Sequence, residues 1–410
     1  MKKRIAIIGS GISGLTAAYN LEKKYDVHIF EKNNYIGGHT HTHTIKENNF
    51  NLNIDSGFIV FNKRNYPNFL NFLNNNNVGY ENSEMSFSVN YKDENFEWSG
   101  KSFKSLFTEN RFLISKKFLD ILHGILKFKI YTYFSFILDK NLSIKKFFKK
   151  YKFNNNFIKY YFYPICSSIW SNKTKNVKEY NSNFLIKFFN DHALNNIFFR
   201  PRWMFIKNGS NSYIKKIIKK CKIKISLNSK VSSIKNKFDK LQINANNKNY
   251  IFDFIICANH ADEIIKIIPK KYKQSKTILS SIKFTKNLAV LHTDECFMPK
   301  KKINWSSWNY LKKKKNTMLT YWMNILQNLK SNKNYFVTIN PDNSIDKKKI
   351  IKIIRYSHPI FKNDKEKFEN KLNQIQGIDN IYFCGAWTGY GFHEDGVNSA
   401  INVTRKILNE

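Results

Sequence analysis

The hydrophobic positions at the start of the chain form two short runs, with a glycine-rich turn and a helical pattern between them. Residues 5–8 and 27–30 are almost entirely apolar, and residues 15–21 carry small and apolar side chains at helical spacing. Continuous apolar runs of this length are typical of strands buried on both faces of a parallel sheet. The pattern predicts strand, helix and strand within the first 30 residues.

Further along the chain the period of the pattern changes twice. Residues 106–180 are aromatic and basic, and the apolar side chains between Phe118 and Phe128 recur at helical spacing, which we interpret as a core-facing stripe. Beyond them, residues 254–258 predict another buried strand. Four apolar segments predict an antiparallel sheet, namely residues 288–294, 305–310, 321–324 and 337–341. The chain is therefore predicted to be an α/β protein with two regions.

The turn after the first strand carries three glycines in a meaningful order. Gly9, Gly11 and Gly14 are spaced as Gly-x-Gly-x-x-Gly. In this motif the first glycine permits a tight turn, the second lets the backbone approach a pyrophosphate, and the third permits close packing of helix on strand. Glu31 follows the second strand, near the spacing at which a carboxylate accepts hydrogen bonds from a ribose. These features predict a dinucleotide site.

The residues after Glu31 indicate which dinucleotide is bound. The acid is followed by Lys32 and then by the glycine pair Gly37 and Gly38. This segment resembles the extended fingerprint of FAD enzymes related to amine oxidases and phytoene desaturases. In those families an arginine usually follows the pair, whereas this chain has His39. A contact made by that guanidinium is therefore not carried over.

Three further segments extend the resemblance over nearly the whole chain. Residues 55–62, 85–89 and 381–400 are similar to a bacterial family described as predicted NAD/FAD-binding proteins with an amine-oxidase-like domain. The resemblance implies noncovalent FAD in a Rossmann-like (glutathione-reductase-like) FAD-binding domain with an inserted α+β substrate domain. It places the FAD-binding domain at residues 1–80, 200–260 and 375–410, and the substrate domain at residues 81–199 and 261–374.

The resemblance also implies which residues meet the cofactor. Asp55 would lie in the segment beneath the flavin, Val231 would meet the adenine with its backbone, and the amides of Gly396 and Val397 would direct a positive helix end at the flavin. Asp395 suits the N-terminal cap of that helix. The predicted cofactor-binding residues are Gly9, Gly11, Ile12, Ser13, Gly14, Glu31, Lys32, Gly37, Gly38, His39, Asp55, Val231, Gly385, Trp387, Asp395, Gly396 and Val397.

Three residues are candidates for a catalytic role, and none is assigned one. His393 and Glu394 are titratable and adjacent to the predicted flavin helix, although hydrogen bonding within the loop explains them equally well. Tyr390 lies in the loop where amine oxidases place a tyrosine beside the substrate amine. Lys286 is out of register with the lysine that wider amine oxidases place near the flavin N5, so that role is not transferred.

Composition adds a strong positive charge. The formal net charge of +39 suggests an anionic membrane surface or a nucleic acid as partner, but the lysines are spread as a biased genome would spread them. We expect no nucleic-acid partner and retain peripheral contact with an anionic membrane. Histidine and threonine alternate over residues 39–44, which puts three histidines on one strand face. Because no further ligand is near, no metal is predicted.

Cysteines and targeting signals exclude several other classes. The five cysteines form no Cys-x-x-Cys pair, so neither a disulfide framework nor a zinc site is indicated. The longest apolar segments fall short of the roughly 20 residues that span a membrane. The first apolar run passes directly into the glycine turn, so we interpret it as a strand rather than a signal peptide and expect a cytoplasmic location.

The function expected from these features is oxidation or isomerisation by FAD. The substrate is expected to be an apolar acyl or lipid chain that transfers a hydride to the flavin, because aromatic and aliphatic residues are plentiful and no carboxylate pair for an ammonium group is apparent. A flavin amine oxidase is the first alternative, with Tyr390 and Trp387 as an aromatic cage. A basic protein that binds nucleic acid or a membrane surface is the alternative from another class.

Overall fold

The structure, a computed structural model, describes residues 2–47, 50–100, 115–134, 139, 142–192, 194 and 201–409. Its strands in chain order are β1 Arg4–Ile8, β2 Asp26–Phe30, β3 Thr42–Glu47, β4 Phe50–Asp55, β5 Val60–Asn62, β6 Tyr80–Ser83, β7 Phe87–Tyr91, β8 Phe96–Ser99, β9 Trp203–Ile206, β10 Lys224–Ser226, β11 Val231–Lys237, β12 Lys240–Ala245, β13 Lys248–Phe252, β14 Phe254–Cys257, β15 Lys283–His292, β16 Trp308–Lys313, β17 Asn316–Trp322, β18 Phe336–Ile339, β19 Ile350–Ile360 and β20 Ile381–Phe383.

The helices lie between these strands. They are α1 Ile12–Leu21, α2 Pro67–Asn75, α3 Lys116–Tyr133, α4 Ile144–Lys150, α5 Asn155–Phe157, α6 Tyr163–Ile169, α7 Thr174–Val177, α8 Ser182–Asp191, α9 Asn211–Lys220, α10 Ala261–Ile267, α11 Lys273–Ser280, α12 Met323–Leu326, α13 Lys365–Asn373 and α14 His393–Leu408. A π-helical turn, Ile158–Phe162, connects α5 to α6. None of the described helices is long and apolar enough to cross a membrane.

Five parallel strands form the sheet that carries the glycine motif, in the order β10-β2-β1-β14-β20. Ile5 of β1 pairs with Val27 of β2 on one side and with Phe254 of β14 on the other. Parallel neighbours need crossover connections, so strands from three distant stretches of the chain can lie side by side. The predicted α/β class is confirmed.

Both faces of this sheet are covered, as its continuously apolar strands require. Ile5 and Ile7 point to the face packed by α1, α2, α9 and α14. Ala6 and Ile8 point to the face packed by α10, α11, α13 and the antiparallel sheet β11-β12-β13. Because side chains alternate along a strand, both sets must be apolar. The core of this region therefore lies in two layers around one sheet.

A seven-stranded sheet dominates the second region, in the order β19-β15-β18-β17-β16-β7-β8. Its pairs are antiparallel except β16 with β7, which is parallel. The four strands predicted from the sequence correspond to β15, β16, β17 and β18, with ends shifted by a few residues. The small sheet β5-β9-β6 packs against the cores of both regions, because Phe61 faces one and Val60 the other.

Helices α3 to α8 pack around an aromatic core that includes Phe147, Phe157, Phe162 and Tyr180. The predicted stripe between residues 118 and 128 is part of α3, but it does not wholly face this core. Phe128 is buried, whereas Leu119 and Leu126 are 57% and 58% exposed. The expectation of a core-facing stripe was wrong for this outer face, because apolar residues occur on both sides of the helix.

Candidate functional site

The candidate site lies at the carboxyl edge of the parallel sheet. Gly9 follows β1, Glu31 follows β2, Ala258 follows β14, and Gly385 comes just after β20. Parallel strands end at the same edge, so their loops converge there. A cavity of about 1410 Å³ opens among these loops and continues towards the seven-stranded sheet.

The glycine turn has no room on the sheet side and ample room on the cavity side. Gly9 has a φ of +105°, and a Cβ at Gly14 would lie 2.0 Å from the carbonyl oxygen of Gly9. A Cβ at Gly11 would meet no atom of the described residues within 4 Å. Gly14 therefore permits the contact of α1 with β1, and Gly11 presents bare backbone to the cavity.

Two helix N-termini meet beside this turn. α1 begins at Ile12 and α14 at His393, and a Cβ at Gly396 would lie 2.7 Å from Cγ2 of Ile12. Ile12, Ser13 and His393 all line the cavity. The first amides of a helix have no acceptor within it and carry partial positive charge. This corner of the cavity suits an anionic group.

Glu31 is buried at the cavity wall and held by three hydrogen bonds. Its Oε2 accepts from the amide and the hydroxyl of Ser10, at 3.0 and 2.6 Å, and its Oε1 accepts from the amide of Asn33 at 2.9 Å. The Ser10 hydroxyl oxygen also accepts from the amide of Gly37 at 3.2 Å. Ser10 thus joins the glycine motif to the glycine pair. Carboxylate lone pairs remain on Glu31 for a ribose hydroxyl.

Four histidines surround the middle of the cavity, namely His39, His260, His358 and His393. The ring centroid of His39 is 5.2 Å from that of His358 and 6.1 Å from that of His260. Burial lowers the pKa of each, to about 4 for His358 and about 3 for His393, because a charged imidazole loses hydration there. The neighbouring histidines lower the pKa of His39 further. The cluster is therefore neutral at pH 7.

His39 occupies the position that departs from the family pattern. Its ring stacks on Tyr356 with centroids 4.8 Å apart, and its Nε2 is buried without a hydrogen-bond partner among the described residues. A buried polar atom without a partner is costly, so this nitrogen marks a place for a ligand atom. His41 and His43 lie near or on β3 instead, with rings 4.2 Å apart. The three alternating histidines therefore do not share one environment.

Trp387 forms part of the opposite wall. It lies in the 3-10 turn Ala386–Thr388, and its Nε1 donates to the carbonyl oxygen of Asn259 at 3.0 Å. A Cβ at Gly385 would lie 2.2 Å from this Nε1. Glycine at this position lets the indole lie against the loop and bind the end of β14.

Helix α14 begins three residues before Gly396, earlier than the sequence indicated. Asp395 lies inside its first turn and accepts a hydrogen bond from the amide of Phe392 at 2.9 Å. A carboxylate at the third helical position can reach back to the cap residue in this way. Burial raises the pKa of Asp395 to about 6. Asp395 stabilises the helix start, as expected, but from within the helix.

The cavity joins a polar end to an aromatic end. The polar end consists of the glycine turn after β1, the second glycine segment, which begins at Gly385 after β20, and the residues Glu31 and Val231. Among the described residues that line the cavity, the acids are Glu31 and Glu263, and Glu263 forms an ion pair with Lys32 beside the polar end. The aromatic end is lined by Trp98, Tyr161, Ile165, Phe188, Phe189, Trp308 and Tyr321. The volume exceeds the roughly 300 to 1,000 Å³ of one small-molecule site, so two ligands fit.

Most predicted cofactor residues line this cavity: Gly9, Gly11, Ile12, Ser13, Glu31, Lys32, Gly37, Gly38, His39, Val231, Gly385 and Trp387. Gly14, Asp395, Gly396 and Val397 are not among the described residues that line it. Val397 belongs to the core cluster of the parallel sheet. The cofactor contacts predicted for these four residues stay predictions.

Asp55 does not reach the cavity, contrary to the sequence expectation. Its carboxylate accepts hydrogen bonds from Thr42, Ser210 and Gln327, at 2.5 to 3.0 Å. Burial raises its pKa to about 6. The contact predicted for Asp55 is therefore corrected. Asp55 connects β4 to the start of α9 by its hydrogen bonds with Ser210, while Gly57 of the same segment lines the cavity.

Two of the three catalytic candidates are also corrected, because they face away from the cavity. Glu394 accepts from the amides of Asn68 and Phe69, at 3.1 and 2.8 Å, and so stabilises the start of α2. The Tyr390 hydroxyl donates to Asp191 at 2.8 Å within the aromatic core of the helices. Neither side chain is placed to touch a substrate.

His393 is the candidate that does face the cavity. Its ring stacks on Phe58 with centroids 3.5 Å apart, and its Nε2 lies 3.0 Å from Oγ1 of Thr40. Thr40 is also hydrogen-bonded to the hydroxyl of Tyr213 at 2.6 Å. The imidazole is thus held in one orientation at the start of α14.

Several lining residues were missed from the sequence. Ser10 occupies a variable position of the glycine motif, and His260 follows the end of β14, where the rule on carboxyl ends of parallel strands was a usable signal. Trp308, Tyr356 and His358 lie on the seven-stranded sheet. No local pattern distinguishes those three from other strand residues.

Comparison with known proteins agrees with this geometry. A family model described as NAD(P)-binding Rossmann-like domain matches residues 7–75, which include the glycine motif, Glu31 and the glycine pair. A curated 1-hydroxycarotenoid 3,4-desaturase from Flavobacterium sp. (strain P99-3) is 64% identical over 42 residues, which are 10% of this chain and 8% of the desaturase. The match thus spans less than a tenth of the desaturase.

Solved structures match along the whole chain. Cyclohexylamine oxidase from Brevibacterium oxydans IH-35A superposes with a TM-score of 0.71 at 10% identity, over 100% of both chains. The chain shares its fold. A CLA-producing fatty acid isomerase from P. acnes superposes with a TM-score of 0.67 at 12% identity, over 98% of each chain. The predicted likeness to amine-oxidase-like proteins is confirmed at the level of the fold, and the likeness to a desaturase is confirmed over the 42 matched residues.

Proposed function

We propose that the protein is an FAD-dependent oxidoreductase that dehydrogenates or isomerises an apolar acyl or lipid substrate. The observation that carries the proposal is the continuous cavity, which joins a dinucleotide-type polar end to an aromatic end. The described residues that line the aromatic end include no carboxylate. One ligand of each kind can therefore meet within the same space.

The residues of the polar end fit FAD. The bare backbone at Gly11 and the two adjacent helix N-termini suit a pyrophosphate, and Glu31 suits a ribose. The Nε2 of His39, which has no hydrogen-bond partner in the part of the chain that the structure describes, suits a further polar atom of the cofactor. The second glycine segment, with Gly385, extends the wall well beyond what a plain NAD site needs. These features support FAD over a nicotinamide cofactor.

Bound FAD supplies the hydride acceptor, so the protein needs mainly to hold a C–H bond beside it in a dry space. The aromatic side chains offer water few hydrogen-bond partners at that end of the cavity. The start of α14 provides positive potential beside the polar end. This potential would stabilise negative charge on a reduced flavin. His393, held by Thr40, stays neutral and oriented.

Apolar substrates fit the aromatic end better than cations do. Glu31 and Glu263 are engaged at the polar end, so no described carboxylate remains to pair with an ammonium group near Trp308 or Tyr321. The names of the fatty acid isomerase and the carotenoid desaturase also point to apolar substrates. Burying an acyl chain against aromatic surface contributes about 0.8 kcal/mol per methylene group.

A flavin amine oxidase is the second candidate. The Trp308 and Tyr321 rings meet edge to face in the cavity wall, with centroids 5.0 Å apart, and aromatic faces attract cations. Cyclohexylamine oxidase has the same fold. The cage expected from Trp387 and Tyr390 is not assembled, because Tyr390 packs within the helical core.

A basic binding protein remains the rival from another class. Its mark is tight, salt-sensitive binding to polyanions, without flavin. The high positive charge supports this alternative, whereas the cavity would have no role in a protein that only binds polyanions. Peripheral contact with an anionic membrane is compatible with the enzyme and is retained.

We also propose a discontinuous division of the chain. Residues 1–80, 200–260 and 375–410 form the FAD-binding part, and residues 81–199 and 261–374 the substrate part, with one revision. Helices α10, α11 and α13 pack on the parallel sheet. They therefore belong with the FAD-binding part, which moves the boundaries at residues 260 and 375 to about residues 282 and 364.

The test has two stages. Purified protein, reconstituted with FAD, is expected to show a flavin spectrum, and a colourless protein would refute the cofactor. The loaded protein is then mixed anaerobically with a lipid extract and, separately, with a polyamine panel while flavin bleaching is followed. Bleaching by lipid supports the proposal, and bleaching by amines alone overturns the lipid assignment. Trp308→Leu should slow bleaching, while Phe238→Leu, at a 95% exposed position, should not.

A further inference from the structure

Helix α3 presents a continuous apolar stripe to solvent. We call it the outer stripe, and its members are Leu119, Leu122, Leu126, Ile130 and Tyr133, which are 57%, 39%, 58%, 57% and 78% exposed. They recur at intervals of three and four residues, so they lie on one face of the helix. Single exposed apolar residues are ordinary, but a contiguous set marks an interaction surface.

Basic side chains border the outer stripe. At about 100° per residue, Lys129 lies along one edge of the stripe, and Lys116 and His123 lie along the other. All three are exposed. The acid within α3, Asp120, accepts a hydrogen bond from Asn156 at 2.7 Å, which turns it towards α5. An apolar stripe with a lysine along each border complements an anionic lipid surface.

The opposite face of α3 reaches the wall of the cavity. Phe128 is buried there, and its ring lies 5.2 Å from that of Phe189, which lines the aromatic end. Helix α3 itself and the Phe128 ring therefore lie between the outer stripe and Phe189 in the wall of the proposed substrate space. A lipid held at the outer surface of α3 is one helix and its inner rings away from that space.

We propose that the outer stripe docks the protein on an anionic bilayer, with α3 lying in the plane of the interface. The apolar side chains enter the acyl boundary while Lys116 and Lys129 meet lipid headgroups. Docking at this place would bring the cavity close to a lipid substrate, and that part of the inference rests on the proposed function. The docking surface itself is defined by exposure, spacing and charge.

Co-sedimentation with vesicles tests the docking. Full-length protein is mixed with vesicles of phosphatidylcholine and phosphatidylglycerol, with pure phosphatidylcholine for comparison. The triple variant Leu119→Ser, Leu126→Ser, Ile130→Ser keeps the net charge, so it should lower the binding constant by about tenfold or more through lost apolar burial. Phe238→Ser removes a similar exposed side chain from the turn between β11 and β12, and it should bind as the wild type does.

Two outcomes would overturn the docking. If the triple variant binds vesicles as the wild type does, the general positive charge is the binder and the outer stripe is not. If the wild type is a dimer in sedimentation velocity and the triple variant is a monomer with unchanged vesicle binding, the stripe joins two copies of the chain. Lys116→Glu with Lys129→Glu should weaken binding to the anionic vesicles, and unchanged binding would remove the charge from the proposal.

Flavin content and bleaching by detergent-dispersed lipid, measured on the same variants, separate this inference from the proposed function. Stripe-dependent vesicle binding by a protein without flavin would leave the docking intact and remove the enzyme. A flavoprotein that bleaches with lipid but shows no stripe-dependent vesicle binding would support the proposed function and overturn the docking.

Discussion

The two ends of the cavity are built from different materials. The polar end is largely main chain, shaped by glycines at the ends of neighbouring strands, and its key side chain, Glu31, is held by residues at most 21 positions away. The aromatic end is made of side chains that are far apart in the chain, such as Trp98 and Tyr321. They lie on helices and strands that only the folded chain brings together. Backbone geometry tolerates few substitutions, whereas a wall of large rings can be repacked.

This difference has a functional consequence. A cofactor that is the same in many proteins is met by backbone and helix ends, which present the same groups whatever the side chains. A substrate is met by side chains, which can vary without disturbing the sheet. Substitutions at the two ends should therefore fail in different ways, and the following predictions test that separation.

The largest effect is expected at the glycine motif. Gly14→Ala places a Cβ 2.0 Å from the Gly9 carbonyl oxygen, so it should cost about 3 kcal/mol or more of the free energy of unfolding. Gly11→Val should fold normally, because Gly11 has a φ of −65° and open space around its Cβ, yet it should lose FAD. Urea unfolding and flavin content distinguish the two. Full FAD occupancy in Gly11→Val would contradict the assignment of the polar end.

Acid should destabilise both regions. Burial lowers the pKa of His28, in the parallel sheet, and of His292, in the seven-stranded sheet, to about 4, from an ordinary value of 6.5. The unfolded chain therefore binds protons that the folded chain does not, and stability is lost as pH falls below 6.5 towards 4, by up to about 1.4 kcal/mol per pH unit for each histidine. Asp55 and Asp395, with raised pKa values near 6, offset part of this loss.

Urea unfolding of the apoprotein at pH 7, 6 and 5 measures how steeply the free energy of unfolding falls with pH. His292→Gln should reduce it, because one protonation site of the unfolded chain is removed. A slope unchanged in this variant would show that His292 is charged in the folded state as well.

The proposed contact of Glu31 with a ribose should be sensitive to charge. Glu31→Ala is expected to weaken FAD binding about tenfold to a hundredfold, which corresponds to about 1.5 to 3 kcal/mol for a charged hydrogen bond. Glu263→Gln is the matched control, because its ion pair with Lys32 is partly exposed and should change binding by less than about 1 kcal/mol. Fluorescence titration of apoprotein with FAD measures both. Equal affinities in the two variants would remove Glu31 from the site.

The smallest effect separates stability from catalysis at the start of α14. Glu394→Ala removes the acceptor of the Asn68 and Phe69 amides and should lower the free energy of unfolding by about 1 to 2 kcal/mol. Flavin content and bleaching rate should stay as in the wild type. Glu81→Ala, which breaks an exposed ion pair with Lys207, should cost less. A stable Glu394→Ala protein with slow bleaching would restore Glu394 as a catalytic candidate.

Much of the polar end could be predicted from the sequence because its determinants are local. Strand, turn, helix, strand and Glu31 lie within the first 31 residues, and their order follows from apolar periodicity and from what glycine alone allows. The seven-stranded sheet was partly predicted in the same way, although the parallel pairing of β16 with β7 has no local signal.

The errors arose where a residue's partner lies far along the chain. Asp55 is bonded to Ser210, 155 positions away, and Glu394 to Asn68, 326 positions away. A carboxylate next to a cofactor motif has the same local pattern whether it faces the cofactor or stabilises a distant helix. The outer stripe of α3 is a similar case, since helical spacing shows that apolar residues share a face and does not show what covers that face.

The sequence by itself therefore determined the parallel sheet, the glycine turns and the edge of the sheet at which the dinucleotide site is proposed, because short-range sterics and strand periodicity specify them. Only the tertiary structure decided which titratable side chains reach the cavity, where His39 meets His260 and His358, and which face of α3 stays exposed. These depend on contacts between residues that are distant in the chain, and such contacts are set by the packing of the whole core.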